Sequence, residues 1–250
     1  MTTTPVLVAE NVVKELGSGA GLVIALKGVS LELVPGELTL LMGPSGSGKT
    51  TLLSILGCIM APTSGTLTIA GKQIAGLGPE ELARIRRDHI GFIFQSYNLF
   101  PTLNAIENVR IALDVRGITG FAATSRAEEV LRDVGLGHRL TNYPGNLSGG
   151  EQQRVAVARA IASSPDIVLA DEPTAALDSE NGHAVMALLS RIAKEQQRSV
   201  LAVTHDPRTL GYADRVVRIE DGKIVGEERR PEGLNAPEIT DLTKRRKIHA

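Results

Sequence analysis

Eight consecutive residues, Gly43-Pro44-Ser45-Gly46-Ser47-Gly48-Lys49-Thr50, constrain this 250-residue chain more tightly than any other feature. Their glycines let the backbone curl so that successive N–H groups converge on one point, a geometry that suits phosphate oxygens. The run Leu38 to Met42 before them is short and apolar, as a buried strand is. Leu52, Leu53 and Leu56 after them recur at helical spacing. The order strand, loop, helix places the loop at a helix N-terminus, whose partial positive charge favours an anion. Lys49 is then placed to reach the β- and γ-phosphates, and the Thr50 hydroxyl to ligate Mg²⁺. Thr51 completes the candidate phosphate cradle.

The rest of the chain supplies a sheet around that loop. Apolar residues alternate with polar ones at Val6 and Val8, at Leu31 and Leu33, and at Leu67 and Ile69, as in partly exposed strands. Ile106, Val109 and Leu113 then recur at helical spacing, and Ser125 to Leu136 reads as a second amphipathic helix. Beyond Pro165 the spacing predicts a strand at Ile167 to Ala170, then a helix carrying Val185, Leu188, Leu189 and Ile192 on one face. A strand at Val200 to Thr204, a helix opening at Pro207 and a strand at Arg215 to Ile219 follow. Alternating strands and helices imply an α/β fold with a mainly parallel sheet covered on both faces. The middle helices read as an insertion. From about residue 229 the chain is polar, with Pro231, Pro237 and a basic cluster at Lys244-Arg245-Arg246-Lys247, and it reads as a loosely attached tail.

Composition excludes several classes. An apolar share of 42% is that of a folded globular chain, and a formal net charge of −1 argues against wrapping nucleic acid by bulk charge. No apolar run is long enough to span a bilayer, no export signal is expected at the N-terminus, and the one cysteine, Cys58, cannot form an internal disulfide.

A second acidic element complements the loop. Ile167 to Ala170 ends in Asp171-Glu172. One carboxylate can hold Mg²⁺ through its water shell (Asp171), and the other can polarise an attacking water as general base (Glu172).

Further along, Leu147-Ser148-Gly149-Gly150-Glu151-Gln152-Gln153-Arg154 resembles the signature of ATP-binding cassette (ABC) ATPases. Gln95 after the strand Ile90 to Phe94 resembles the family's Q-loop glutamine, and Asp171-Glu172-Pro173-Thr174 the end of its Walker B strand. Ala176-Leu177-Asp178 resembles the D-loop and His205 the switch histidine. The resemblance covers roughly residues 5–225. It implies a P-loop NTPase of the ABC type, with an antiparallel β region and a helical insertion. The ATPase domain would span 1–228, the inserted helical part about 96–164, and the tail 229–250.

By the same resemblance the cofactors are ATP and Mg²⁺. Gln95 reaches the metal and the lytic water, and His205 the γ-phosphate. Ser148, Gly149 and Gly150, with Asp178, meet the nucleotide of a second copy paired head to tail. One phosphate loop and one signature per chain give two composite ATP sites per dimer. Glu151 stands where the commonest form of the signature has glutamine.

Local strings such as Leu56-Gly57-Cys58, Gly91 to Gln95 and Thr204-His205-Asp206-Pro207 are similar to the lipoprotein-release and macrolide-efflux branch. That implies a peripheral subunit at the cytoplasmic face of the inner membrane. It would drive a permease, with a periplasmic adaptor reached through it, to export or extract lipoprotein, lipid, peptide or drug. Two other classes stay open: a soluble cassette acting on a cytosolic protein, as in iron–sulfur assembly, and a nucleic-acid-directed cassette, which predicts a long coiled coil, a second cassette or a basic stripe. No such feature is visible in the sequence, so nucleic acid is not an expected partner.

Aromatic residues are scarce, at 3%, and four of the seven (Phe92, Phe94, Tyr97 and Phe100) bracket Gln95. Rings anchor interfaces, so this loop is the expected permease-docking segment. Family members usually stack adenine on a ring upstream of the loop; here Leu16 occupies that neighbourhood.

Overall fold

The computed structural model describes residues 4–230. The chain opens with β1 (Leu7–Leu16), β2 (Val23–Leu33), β3 (Leu38–Met42) and α1 (Lys49–Leu56), followed by β4 (Ser64–Ile69), β5 (Lys72–Gln73), α2 (Pro79–His89) and β6 (Ile90–Ile93). Three helices come next: α3 (Ala105–Asp114), α4 (Gly120–Asp133) and α5 (Gly149–Ala162). The last third holds β7 (Ile167–Asp171), α6 (Ser179–Glu195), β8 (Ser199–Val203), β9 (Arg215–Glu220) and β10 (Lys223–Arg229).

Six strands form one sheet in the order β10-β9-β3-β8-β7-β6, parallel throughout except for the β9–β10 hairpin. Side chains alternate across a strand, so each central strand feeds two cores. Leu38, Leu40, Val168, Ala170, Val200 and Ala202 face the core shared with α3, α4, α5 and α6. Leu41, Ile167, Leu169, Leu201 and Val203 face the other core, against α1 and the antiparallel sheet β2-β1-β4-β5. Burial on both sides is why these strands read as short unbroken apolar runs.

Several boundaries differ from the sequence reading. In β1 the inward residues are Leu7 and Ala9, while Val6 and Val8 are half-buried. The pairing of β1 shifts register beyond Ala9, where Asn11 takes a φ of 50°. Helix α4 begins at Gly120, not Ser125, and ends at Asp133, short of Leu136; Gly135 there has a φ of 79° and turns the chain out of the helix. The segment at Pro207 is a 3₁₀ run, Pro207–Tyr212. Helix α2 has no counterpart in the sequence reading because Ile85 is its one buried residue, so it lacks an apolar stripe. The basic cluster at 244–247 lies outside the described residues.

The helical part is fastened to the sheet at close range. A Cβ on Gly91 of β6 would stand 2.3 Å from the backbone oxygen of Ala160 on α5, so only glycine permits this approach. At the C-terminal end of α5 the guanidinium groups of Arg116 and Arg126 donate to the carbonyls of Ser163 and Ala162. Cations there also complement the helix dipole.

Candidate active site

The glycine-rich loop joins β3 to α1, as the strand-loop-helix reading requires. Gly48 holds a φ of 99°, and a Cβ there would lie 2.6 Å from the Ala25 oxygen, so the loop can close against β2 only with glycine at this point. The Gly222 N–H of the β9–β10 turn donates to the Ser47 oxygen at 3.1 Å, and the Lys27 N–H of β2 donates to the Gly222 oxygen at 2.8 Å. Lys49 is buried, and its ammonium donates to the carbonyls of Gly43 and Pro44 at 2.8 and 2.7 Å.

The carboxylates arrive on β7, beside β3's neighbour β8. Asp171 is paired with Val203 across the two strands, and the Glu172 N–H donates to the Val203 oxygen at 2.9 Å. Glu172 leaves the strand with a φ of 46°, a left-handed conformation that costs a non-glycine residue about 1 kcal/mol or more. Its Oε1 lies 2.8 Å from Nδ1 of His205, which follows β8. Burial pushes the Asp171 carboxyl above the usual carboxylate range; the neighbouring Glu172 adds to this and Lys49 opposes it.

One cleft of about 690 Å³ gathers Ser45, Gly46, Gly48, Lys49, Thr50, Thr51, Gln95, Asp171, Glu172 and His205. These come from four separate stretches of sequence, brought together by the C-terminal ends of β3, β6, β7 and β8. The cleft offers anion donors, a hydroxyl, a half-buried carboxylate and a carboxylate with a histidine partner. Such a set can hold a triphosphate with a hard cation and polarise a water.

Ser148, Gly149, Gly150 and Asp178 do not line this cleft. Ser148 caps α5, and Asp178 caps α6 by accepting from the Asn181 N–H at 2.9 Å. The two helix starts abut: a Cβ on Gly150 would lie 2.2 Å from Asn181 Oδ1, and one on Gly149 would lie 3.0 Å from the Tyr97 hydroxyl. Glu151 completes the cap by accepting from the Ser148 N–H at 2.8 Å and from Arg139 at 3.0 Å.

The loop after Gln95 is ordered by residues that the motif reading passed over. Tyr97 and Asn98 take φ values of 59° and 49°, and the Arg159 guanidinium of α5 donates to both their carbonyls. Asn108, fully buried on α3, accepts from the Phe100 N–H at 2.8 Å and donates to the carbonyls of Phe100, Leu103 and Asn104. The available signal was a polar residue on the apolar stripe of Ala105 and Val109. Phe100 is half exposed, whereas Tyr97 turns toward Gly149; Phe92 and Phe94 stack at 5.5 Å. Leu16, Val23 and Ile24 also line the cleft, and only the first was singled out by sequence.

Comparison with known proteins identifies the family. The family model described as ABC transporter matches residues 26–175. The macrolide export ATP-binding/permease protein MacB of Marinobacter nauticus is 43% identical over 225 residues, 90% of this chain and 35% of that protein. MacB of Escherichia coli K12 is 42% identical over 241 residues, 96% of this chain and 37% of that protein. This chain thus spans about a third of the length of these curated relatives. Among solved structures, a dimeric post-hydrolysis state of the ATP-binding cassette MJ0796 bound to ADP and Pi aligns with a TM-score of 0.82 at 42% identity. The match covers 90% of this chain and 99% of that one. With the family model matched over more than half its length, and a nearly full-length cassette matched in both sequence and fold, the chain belongs to the ABC transporter family.

Proposed function

We propose that this chain binds and hydrolyses ATP as a head-to-tail dimer and drives a membrane permease. The observation that carries the reading is the single cleft uniting Lys49 and Thr50 with Gln95, Asp171, Glu172 and His205. Gly43 to Thr51 cradle the phosphates, and Lys49 exchanges two carbonyl partners for phosphate oxygens. Glu172 accepts the proton of a water whose oxygen bonds to the γ-phosphorus as the bridge to the β-phosphate breaks, giving ADP and phosphate. His205, already on Glu172, orients that carboxylate and the γ-phosphate. Ser148, Gly149, Gly150 and Asp178 serve the partner copy's site.

Mg²⁺ fits the donor set. Thr50, Gln95 and Asp171 (through water) supply oxygen donors, and a cation beside Asp171 would offset the burial that raises its carboxyl. No cluster of three or more His, Cys, Asp or Glu suited to a metal occurs among the described residues. Bound there, it would neutralise charge on the β- and γ-phosphates.

The permease reading rests on the MacB relatives, which are named as ATP-binding/permease proteins. No helix among the described residues is long and apolar enough to cross a membrane. The half-exposed Phe100, near Gln95 in sequence, supports docking there, with Tyr97 contributing from its inner side. The same relatives are named for macrolide export, which supports export of a drug-type cargo; a location at the cytoplasmic face of the inner membrane, a periplasmic adaptor, and lipid, peptide or lipoprotein as alternative cargo are part of the proposal. The helical part at about 96–164 acts as an insertion in an ATP-binding domain whose expected end at residue 228 falls inside β10, since Arg229 still pairs with Arg215 and the Arg230 N–H donates to the Asp214 carbonyl. The longest described helix has 17 residues, which counts against a nucleic-acid-directed coiled coil.

Glu172→Gln tests the reading. The variant should retain Mg-ATP and run as a dimer in size-exclusion chromatography, with turnover reduced by about 10²-fold or more. Undiminished ATPase would remove Glu172 as the base.

A further inference from the structure

Gln153 is fully buried on α5, and neither its amide oxygen nor its amide nitrogen has a hydrogen-bond partner among the described residues. A buried amide left unpaired is destabilising, and an apolar side chain of similar volume would remove that cost. Its position on the helix shows what the amide can serve. Gly149, Gln153 and Ala160 lie on one face of α5, four and seven residues apart. Ala160 meets Gly91 of β6 through the close approach described above, so this face looks onto the sheet.

At its other end the face meets two loops. A Cβ on Gly149 would stand 3.0 Å from the Tyr97 hydroxyl, 3.5 Å from the Leu177 side chain and 3.8 Å from the Ala176 oxygen. Tyr97 belongs to the loop after Gln95, and Ala176 and Leu177 to the turn from Glu172 to Asp178. Helix side chains lean toward the N-terminus, over the residue four positions back. For Gln153 that residue is Gly149, which has no side chain to stand in the way. The amide therefore leans toward the junction of both loops with the start of α5. Burial, and no hydrogen bond, sets the ionisation of the Tyr97 hydroxyl there, raising its pKa above the usual range. We propose that Gln153 is a positioning residue for ATP hydrolysis: its amide bonds the Tyr97 hydroxyl when α5 shifts against the loop after Gln95, fixing Gln95 relative to the start of α5 for turnover. This rests on hydrolysis in the cleft that contains Gln95.

Steady-state ATPase kinetics and thermal melting of the full chain carrying Gln153→Met test the proposal, since methionine keeps the volume and drops the amide. The nucleotide-free variant should melt about 2–4 °C higher, because an unpaired buried polar group is gone. Its kcat should fall roughly three- to tenfold, with KM for ATP within about twofold of the original. A side chain with a packing role alone would move stability and leave kcat in place. Tyr97→Phe should lower kcat to a similar degree, and the double variant no further than either single. A lower melting temperature for Gln153→Met would show the amide already bonded in the nucleotide-free fold. Unchanged kcat, or losses that multiply in the double variant, would separate Gln153 from Tyr97. Each of these results overturns the inference. Failure of the cleft reading is distinguishable: Lys49→Ala with full ATP affinity rejects the phosphate assignment, whereas a fully active Gln153→Met chain rejects the positioning role alone.

Discussion

Asp171 is held in a setting that opposes its own charge. Burial and the adjoining Glu172 raise its pKa, and Lys49 only partly compensates. A carboxyl whose folded-state pKa lies above its unfolded value destabilises the nucleotide-free fold where it is ionised, and the penalty fades as pH falls below both values. Asp171→Asn should therefore raise the melting temperature of the nucleotide-free protein at pH 7 to 8, with the gain shrinking toward acid pH. The same variant should bind Mg-nucleotide poorly. Paired melting curves with and without Mg-ATP check both halves. A carboxylate pair at a strand end was legible in the sequence because chain order alone placed it there. The left-handed turn at Glu172 was not, since it follows from the bond to the Val203 oxygen, contributed by a strand distant in sequence.

Order in the loop after Gln95 comes from two neighbouring helices. Asn108→Ala would take the acceptor from the Phe100 N–H and the side-chain donor from three carbonyls, of which those of Phe100 and Asn104 keep a backbone donor, and should cost about 2–3 kcal/mol in urea unfolding, with faster amide exchange at 96–104. Gly91→Ala should cost about 1–3 kcal/mol by forcing β6 off α5, measured the same way. Strands β3, β7 and β8 were readable within a residue because burial on both faces leaves an apolar run with sharp ends. The loop's conformation was hidden, because Arg159 and Asn108 act across the fold and carry no local pattern. For β1 the phase was not visible, because Val6, Leu7, Val8 and Ala9 are all apolar and their pattern does not say which of them face inward.

At the scale of the whole molecule, the proposed composite site would draw its parts from two places on one chain. The phosphate cleft and the paired starts of α5 and α6 are separate surfaces, which a second copy can bring together. Mixing Lys49→Ala chains with Gly150→Asp chains, each inactive alone, should restore roughly a quarter of the original ATPase rate, since half the random dimers regain one of two sites. A mixture that stays inactive while still forming dimers would place both parts in one subunit's site. The sequence shows the motifs of both surfaces but not their separation, which arises from the three-helix insertion. Within the cleft, Lys49 bridges the mouth of its own loop through the Gly43 and Pro44 carbonyls, so the loop's shape is fixed by bonds internal to the chain. The entropy of ordering it is consequently lost once, during folding, and not again at every arrival of ATP. Each turnover then starts from the same loop shape.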